Sequence, residues 1–304
     1  MSLVEKALEK MQNAQRQSSA AAAPRPAPAT FGAVVTGSSA RSTAAPAAPQ
    51  GLFALNHDRL VQINQSALRL AGLLPPAHQE RQLAQQYRQI KRPLIDNAFG
   101  PTRLPKGSLI MMASALSGEG KTFTSINLAF SIAREPDVHV LLVDADVAKP
   151  HISGLFGVAD QPGLLDVVKD KSITLESAVL PTDVPNLYIL PAGRRSESAT
   201  ELLASARMHE ITAQLERVPN CIVIFDSPPL LLTTESQVLA NGVGQIALVV
   251  RAGKTSQRTV LDALSHLGNG RSVSLILNQA VGVSGDRYYY GYNNETRSPS
   301  ERES

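Results

Sequence analysis

The residues with the clearest chemistry are Ser117-Gly118-Glu119-Gly120-Lys121-Thr122, which follow the uncharged run Leu109 to Leu116. Glycines lack a Cβ, so the backbone there can curl and point successive N–H groups inward. With a lysine and the N-terminus of a following helix, such a turn makes a polyphosphate cradle. Lys121 would reach the outer phosphates, and the Thr122 hydroxyl would ligate Mg²⁺. A strict GxxxxGK[ST] pattern asks for glycine at 115, where this chain has Ala115. The loop is therefore a variant P-loop.

Two further apolar runs end in carboxylates. Val140-Leu141-Leu142-Val143 leads into Asp144-Ala145-Asp146, and Cys221-Ile222-Val223-Ile224-Phe225 leads into Asp226. Period-two geometry predicts that Asp144 and Asp146 face the same side. Carboxylates beside a triphosphate can hold Mg²⁺ and take a proton from an attacking hydroxyl. Asp226, followed by Ser227-Pro228-Pro229, suits a Walker B role. Each acid alone could be a helix N-cap. Together, at two strand tips with a P-loop, they point to phosphate chemistry.

The elements that position these groups alternate from Gly107 onward. Strands are predicted at 109–115, 138–144, 187–191, 221–226, 246–251 and 273–278, and helices at 122–134, 199–216 and 256–267. Uncharged strands alternating with helices predict an α/β fold, a P-loop NTPase-like mostly parallel sheet with helices on both faces. The strand C-termini then share one edge, where ligands bind. Arg251 and Asn278 end strands at that edge and could contact nucleotide or cap loops.

Before this region, Leu3, Val4, Ala7, Leu8 and Met11 give residues 1–17 a helical stripe, too short to be stable alone. Residues 18–50, rich in Ala and Pro, are expected to be a disordered linker. Residues 51–283 form the predicted catalytic domain with its N-terminal helices, and 284–304 a flexible tail. Leu60, Ile63, Leu68 and Leu70 suggest one helix. A second is predicted over 79–91, stopping before Pro93, with Gln85, Arg88 and Lys91 on one face, either solvated or a subunit contact.

Composition narrows the class. The chain has 304 residues, 43% hydrophobic, enough for a sizeable core. A net charge of +3 without blocks of like charge does not call for nucleic acid, and the chain has no Trp for stacking bases. Its one cysteine, Cys221, excludes an internal disulfide framework. The six histidines lack metal-ligand spacing. No apolar run approaches the ~18 to 20 residues that span a bilayer, and the charged N-terminus lacks a signal-peptide core. A cytoplasmic chain is expected.

Taken together, SALSGEGKT, LLVDADVAKP and IVIFDSPP resemble the motifs of the bacterial tyrosine autokinases, the BY-kinase family, over about residues 80–292. MSLVEKALEK, IKRPL and FDSPPLLLTTES resemble the subgroup associated with exosortase-type exopolysaccharide systems. The resemblance implies ATP and Mg²⁺ as cofactors, with the nucleotide on Ser117, Gly118, Glu119, Gly120, Lys121, Thr122 and Phe123. It implies Thr122, Asp144 and Asp226 as metal ligands, with Lys121, Asp144, Asp146 and Asp226 as the catalytic set. Sequence does not separate the role of Asp146 from that of Asp144. Tyr288, Tyr289, Tyr290 and Tyr292 stand where the family carries its phosphoacceptors. The implied partners are a membrane polysaccharide co-polymerase as activator, which would recruit the chain to the inner membrane, a neighbouring copy phosphorylated in trans, and a cognate tyrosine phosphatase. The alternative is a P-loop ATPase switch or scaffold without kinase activity. Partition-type switches use a signature lysine where this chain has Leu116. Departures from the family are Gln85-x-x-Arg88-x-x-Lys91 in place of ExxRxxR, Ala148 at an arginine position, and Ser117 where proline is frequent.

Overall fold

A computed structural model describes residues 51–53, 59–268 and 271–280. The predicted segments 1–17, 18–50 and 284–304, with Tyr288, Tyr289, Tyr290 and Tyr292, lie outside the described residues. Among the described residues seven strands form one sheet: β1 Leu109–Ser114, β2 His139–Asp144, β3 Leu180–Pro181, β4 Leu187–Leu190, β5 Cys221–Asp226, β6 Gln245–Arg251 and β7 Ser272–Asn278. Their order is β3-β4-β2-β5-β1-β6-β7. All neighbours pair in parallel except β3, a short strand antiparallel to β4 that alternation alone did not predict. The helices are α1 Gln65–Leu70, α2 Glu80–Phe99, α3 Lys121–Ile132, α4 Ile152–Leu155, α5 Leu164–Lys169, α6 Leu175–Ala178, α7 Ala199–Leu203, α8 Ala206–Glu216, α9 Thr234–Gly242 and α10 Gln257–Ser265.

The predicted fold class is the observed one. β1 and β5 are buried at every position, because apolar clusters cover both sheet faces. Alternate residues feed the two clusters: Met111 and Phe225 enter one, Met112 and Ile224 the other. Register then fixes the site. Asp144 pairs with Asp226 across β2 and β5, and Met112 pairs with Asp226 across β1 and β5. Adjacent strands run about 4.8 Å apart. Two acidic tips are therefore neighbours, and the loop leaving β1 begins beside them.

Several boundaries differ from expectation. The second helix does not stop before Pro93; α2 runs on to Phe99. Tyr87, Lys91, Leu94 and Ala98 are its buried positions, a stripe that continues past the proline. The carbonyl that loses its donor belongs to Gln89, which is exposed and can be solvated. The helix predicted over 199–216 is two helices. Ser205 interrupts it, its Oγ accepting from Met208 N at 3.2 Å as the N-cap of α8. Leu60 and Ile63 are not helical, and Leu70 is 91% exposed. The nearby Val61 instead forms a bridge to Thr182.

Lys91 is not on a solvated face with Gln85 and Arg88. It is 4% exposed, with Nζ 2.7 Å from Glu135 Oε1 and donating to Ser131 O at 2.8 Å. The hydrogen bond from Lys91 holds the Glu135 carboxyl below its ordinary range. Lys91 thus ties α2 to the C-terminal end of α3 within one chain.

Candidate active site

The loop after β1 is fixed from several directions. Gly118 (φ 80°) and Gly120 (φ 92°) are left-handed, which only glycine adopts freely. A Cβ at Gly120 would also lie 1.9 Å from Asn278 Nδ2, so any larger residue there would displace the Asn278 side chain. Asn278 donates through that nitrogen to Glu119 O at 2.9 Å. The Glu119 carboxylate accepts from Leu116 N at 2.8 Å and from the Thr255 hydroxyl. Glu119 is 3% exposed, so its side chain is spent on shaping the loop. The N-terminus of α3 follows directly, with its unpaired N–H groups at the loop.

Asp226 gathers this loop. Its Oδ1 accepts from Lys121 Nζ at 3.0 Å and from Ser125 Oγ at 2.8 Å. Its Oδ2 accepts from Thr122 Oγ1 at 2.8 Å. Lys121 and Asp226 form a buried ion pair, with side chains 8% and 1% exposed.

Asp144 behaves differently. Its Oδ2 accepts from Ser153 N at 2.8 Å and Ser153 Oγ at 2.7 Å, while the buried Oδ1 has no hydrogen-bond partner among the described residues. Burial is the main cause that pushes its carboxyl up to about 6, against the opposing Ser153 bonds. Burial also raises Asp146, opposed by the nearby Lys121. Because β2 ends at Asp144, the period-two expectation does not carry to Asp146. Asp144 is wholly buried on Ser153, whereas Asp146 is half-buried and lines the cavity above the loop.

That cavity holds about 740 Å³. Ser117 through Phe123 and Asp146 line it, as do Lys149, His151 and Arg195. Asp144 and Asp226 lie at adjacent strand tips, and Asp226 reaches the loop through Lys121, Thr122 and Ser125. Among the described residues no cluster of three His, Cys, Asp or Glu groups could hold a metal alone. The donor set nevertheless fits Mg²⁺, which keeps waters and binds through one or two carboxylates plus substrate phosphates. The unpartnered Asp144 Oδ1, Asp226 and the Thr122 hydroxyl are hard oxygen donors of that kind.

A family model described as an AAA domain matches residues 107–250. Tyrosine-protein kinase YwqD of Bacillus subtilis (strain 168) is 34% identical over 185 residues, covering 60% of this chain and 77% of that protein. The chain belongs to the bacterial tyrosine-protein kinase family. Tyrosine-protein kinase wzc of Salmonella typhi is 30% identical over 199 residues, 63% of this chain but only 27% of the longer relative. The crystal structure of the VpsO kinase domain superimposes with a TM-score of 0.57 at 30% identity, covering 67% of this chain and 100% of that one.

Within this tyrosine kinase chain, several contributors escaped sequence reasoning. Ser125 lies one helical turn after Lys121, so the GKT run offered a local signal for it. Ser153 and Thr255 offered none, because they reach the site through contacts between separate elements, whereas Lys149 stands three residues after Asp146 in the same turn. Asn278 was a candidate for either nucleotide contact or capping; here its side chain caps Glu119 O.

Proposed function

We propose that this chain is an ATP- and Mg²⁺-dependent protein-tyrosine autokinase that transfers the γ-phosphoryl of ATP to Tyr288, Tyr289, Tyr290 or Tyr292 of a neighbouring copy. The observation that carries this is the convergence of Lys121, Thr122 and Ser125 on Asp226, with Asp144 beside it in register. The loop N–H groups and the start of α3 receive the phosphates, and Lys121 turns from Asp226 onto the β and γ groups. Thr122, Asp226 and Asp144 Oδ1 would hold Mg²⁺, which supplies charge neutralisation at the transferring phosphate. Asp146, at the cavity wall, accepts the phenolic proton as the tyrosine oxygen bonds to phosphorus and the bond to ADP breaks.

Acceptor choice follows from burial. Tyr87 and Tyr188, the tyrosines among the described residues, are 5% and 7% exposed. The other four of the chain's six tyrosines lie in the tail. We assign residues 51–283 to the kinase domain and 284–304 to the tail. Among the described residues no helix is long and apolar enough to cross a membrane. A membrane polysaccharide co-polymerase would bring the chain to the inner membrane and activate it, a tyrosine phosphatase would reverse the modification, and the output would be control of exopolysaccharide production. The runs MSLVEKALEK, IKRPL and FDSPPLLLTTES support the exosortase-associated subgroup.

Incubation of the full chain with ATP and Mg²⁺, with and without the activator's cytoplasmic segment, is expected to yield phosphotyrosine by immunoblot and mass spectrometry. Lys121→Met should remove it. An ATP-binding sample that never gains phosphotyrosine under either condition would sink the assignment.

A further inference from the structure

A second groove, of about 890 Å³, lies between α2 and β7 and borders the site described above at Phe123 and Asn278. Gln82, Gln86 and Gln89 line it from α2, and Ile90, Phe123 and Ile276 supply apolar surface. β7 is the last strand in the sheet order, with Leu275 and Leu277 60% and 62% exposed. Among the described residues, none that lines the groove carries a charge. Amide groups over an apolar surface suit an amphipathic ring, which buries its body and offers a hydroxyl to an amide. They do not suit a phosphate, which carries about −1.5 to −2 charges and would enter without a cation to pair it.

We infer that this groove receives the chain's own segment 281–304 while its tyrosines are unphosphorylated, and that phosphate on those tyrosines expels it. The chain leaves β7 at the groove itself. Gln279 (φ 57°) turns the backbone off the strand, and both Gln279 and Ala280 line the groove. Tyr288 is eight residues beyond Ala280. At about 3.3 Å per residue that stretch spans up to about 26 Å. The α2 wall from Glu80 to Leu94 is about 21 Å long at 1.5 Å per residue. The tyrosines therefore reach the groove in cis. The segment's bulky apolar groups are Val281, Val283 and the four tyrosines, which match the lining, while its charged residues, from Asp286 and Arg287 to Glu303, would stay in solvent.

Phe123 lines both this groove and the nucleotide cavity. A seated tail thus lies against the P-loop helix but outside the cavity, and its acceptor hydroxyls are withheld from a neighbour. The first phosphates gained would free the segment. Only the source of the phosphate rests on the kinase assignment; the seat does not.

The test places a photo-crosslinker, Gln86→p-benzoylphenylalanine, in the full chain. Gln86 is exposed on α2 and takes no part in the nucleotide site. Irradiating a mixture with a ¹⁵N-labelled copy and mapping adducts by mass spectrometry separates same-chain from between-chain products. Same-chain adducts on the peptide holding Tyr288 to Tyr292 are expected, falling about tenfold or more when all four tyrosines are changed to Glu. The inference is overturned by adducts confined to residues 1–17, by adducts only between copies, by none on the tail, or by yields that the Glu changes leave unaltered. The Glu variant needs no phosphoryl transfer, so a chain without kinase activity leaves this outcome readable.

Discussion

Asp226→Asn is expected to reduce tail phosphorylation by at least about a thousandfold and to destabilise the ligand-free chain. Asp226 accepts from Lys121, Thr122 and Ser125 at once, all within 3.0 Å. The ion pair with Lys121 is buried on both sides. Removing the negative partner leaves a buried ammonium without compensation, which costs about 3 to 5 kcal/mol. The amide also presents a donor where a carboxylate oxygen accepted from Thr122, so the loop loses a fixed point at the start of α3. Urea denaturation of both proteins at pH 7 measures the first effect, and phosphotyrosine yield measures the second. Wild-type stability together with undiminished labelling would show that Asp226 neither anchors the loop nor serves the reaction.

Asp144→Asn is expected to have a large effect of a different kind, visible in its pH dependence. Burial holds the Asp144 carboxyl at about 6 in the folded chain, above its ordinary 3.8. The folded state therefore binds more protons than the unfolded state between these values. Its stability falls as pH rises from about 4 to about 6 and is then level, a loss on the order of 3 kcal/mol from this one group. The Asn variant lacks that slope. It keeps an oxygen for the two Ser153 bonds, so the loop at α4 should hold its place. It also loses the charge that Asp144 Oδ1 offers to a cation, and the Mg²⁺ dependence of ATP binding should weaken with it. Thermal melts across pH 4 to 8, with and without Mg·ATP, read both effects. Parallel pH profiles for the two proteins would contradict the buried-acid account.

The parts of this architecture that were legible in the sequence are those written in contiguous residues. Short uncharged apolar runs that end in turn or acidic residues read as strands buried on both faces, and the residue that ends each run marks the common edge. Gly118, Gly120 and Lys121 are local too, because the loop's curl needs left-handed backbone on either side of Glu119. The register that sets Asp144 opposite Asp226 was not legible, since it arises from pairing between strands far apart in the chain. The same holds for Ser153 under Asp144 and Thr255 on Glu119, which tertiary approach alone brings together. Pro93 misled for an instructive reason. A proline removes one hydrogen bond, but burial of Leu94 and Ala98 beyond it rewards continuing the helix, and the orphaned carbonyl sits on the wet side. Lys91 misled likewise, because a charge read as surface found a partner in Glu135 on the covered side.

The most direct measurement mixes two full-length proteins of different mass. The donor has an intact Lys121 but Phe at all four tail tyrosines, and the acceptor carries Lys121→Met with its tail tyrosines intact. With Mg·ATP, the account predicts phosphate on Tyr288 to Tyr292 of the acceptor and none when the donor is omitted. Conversion of ATP to free phosphate by the donor, with the acceptor tail left unmodified, would contradict it.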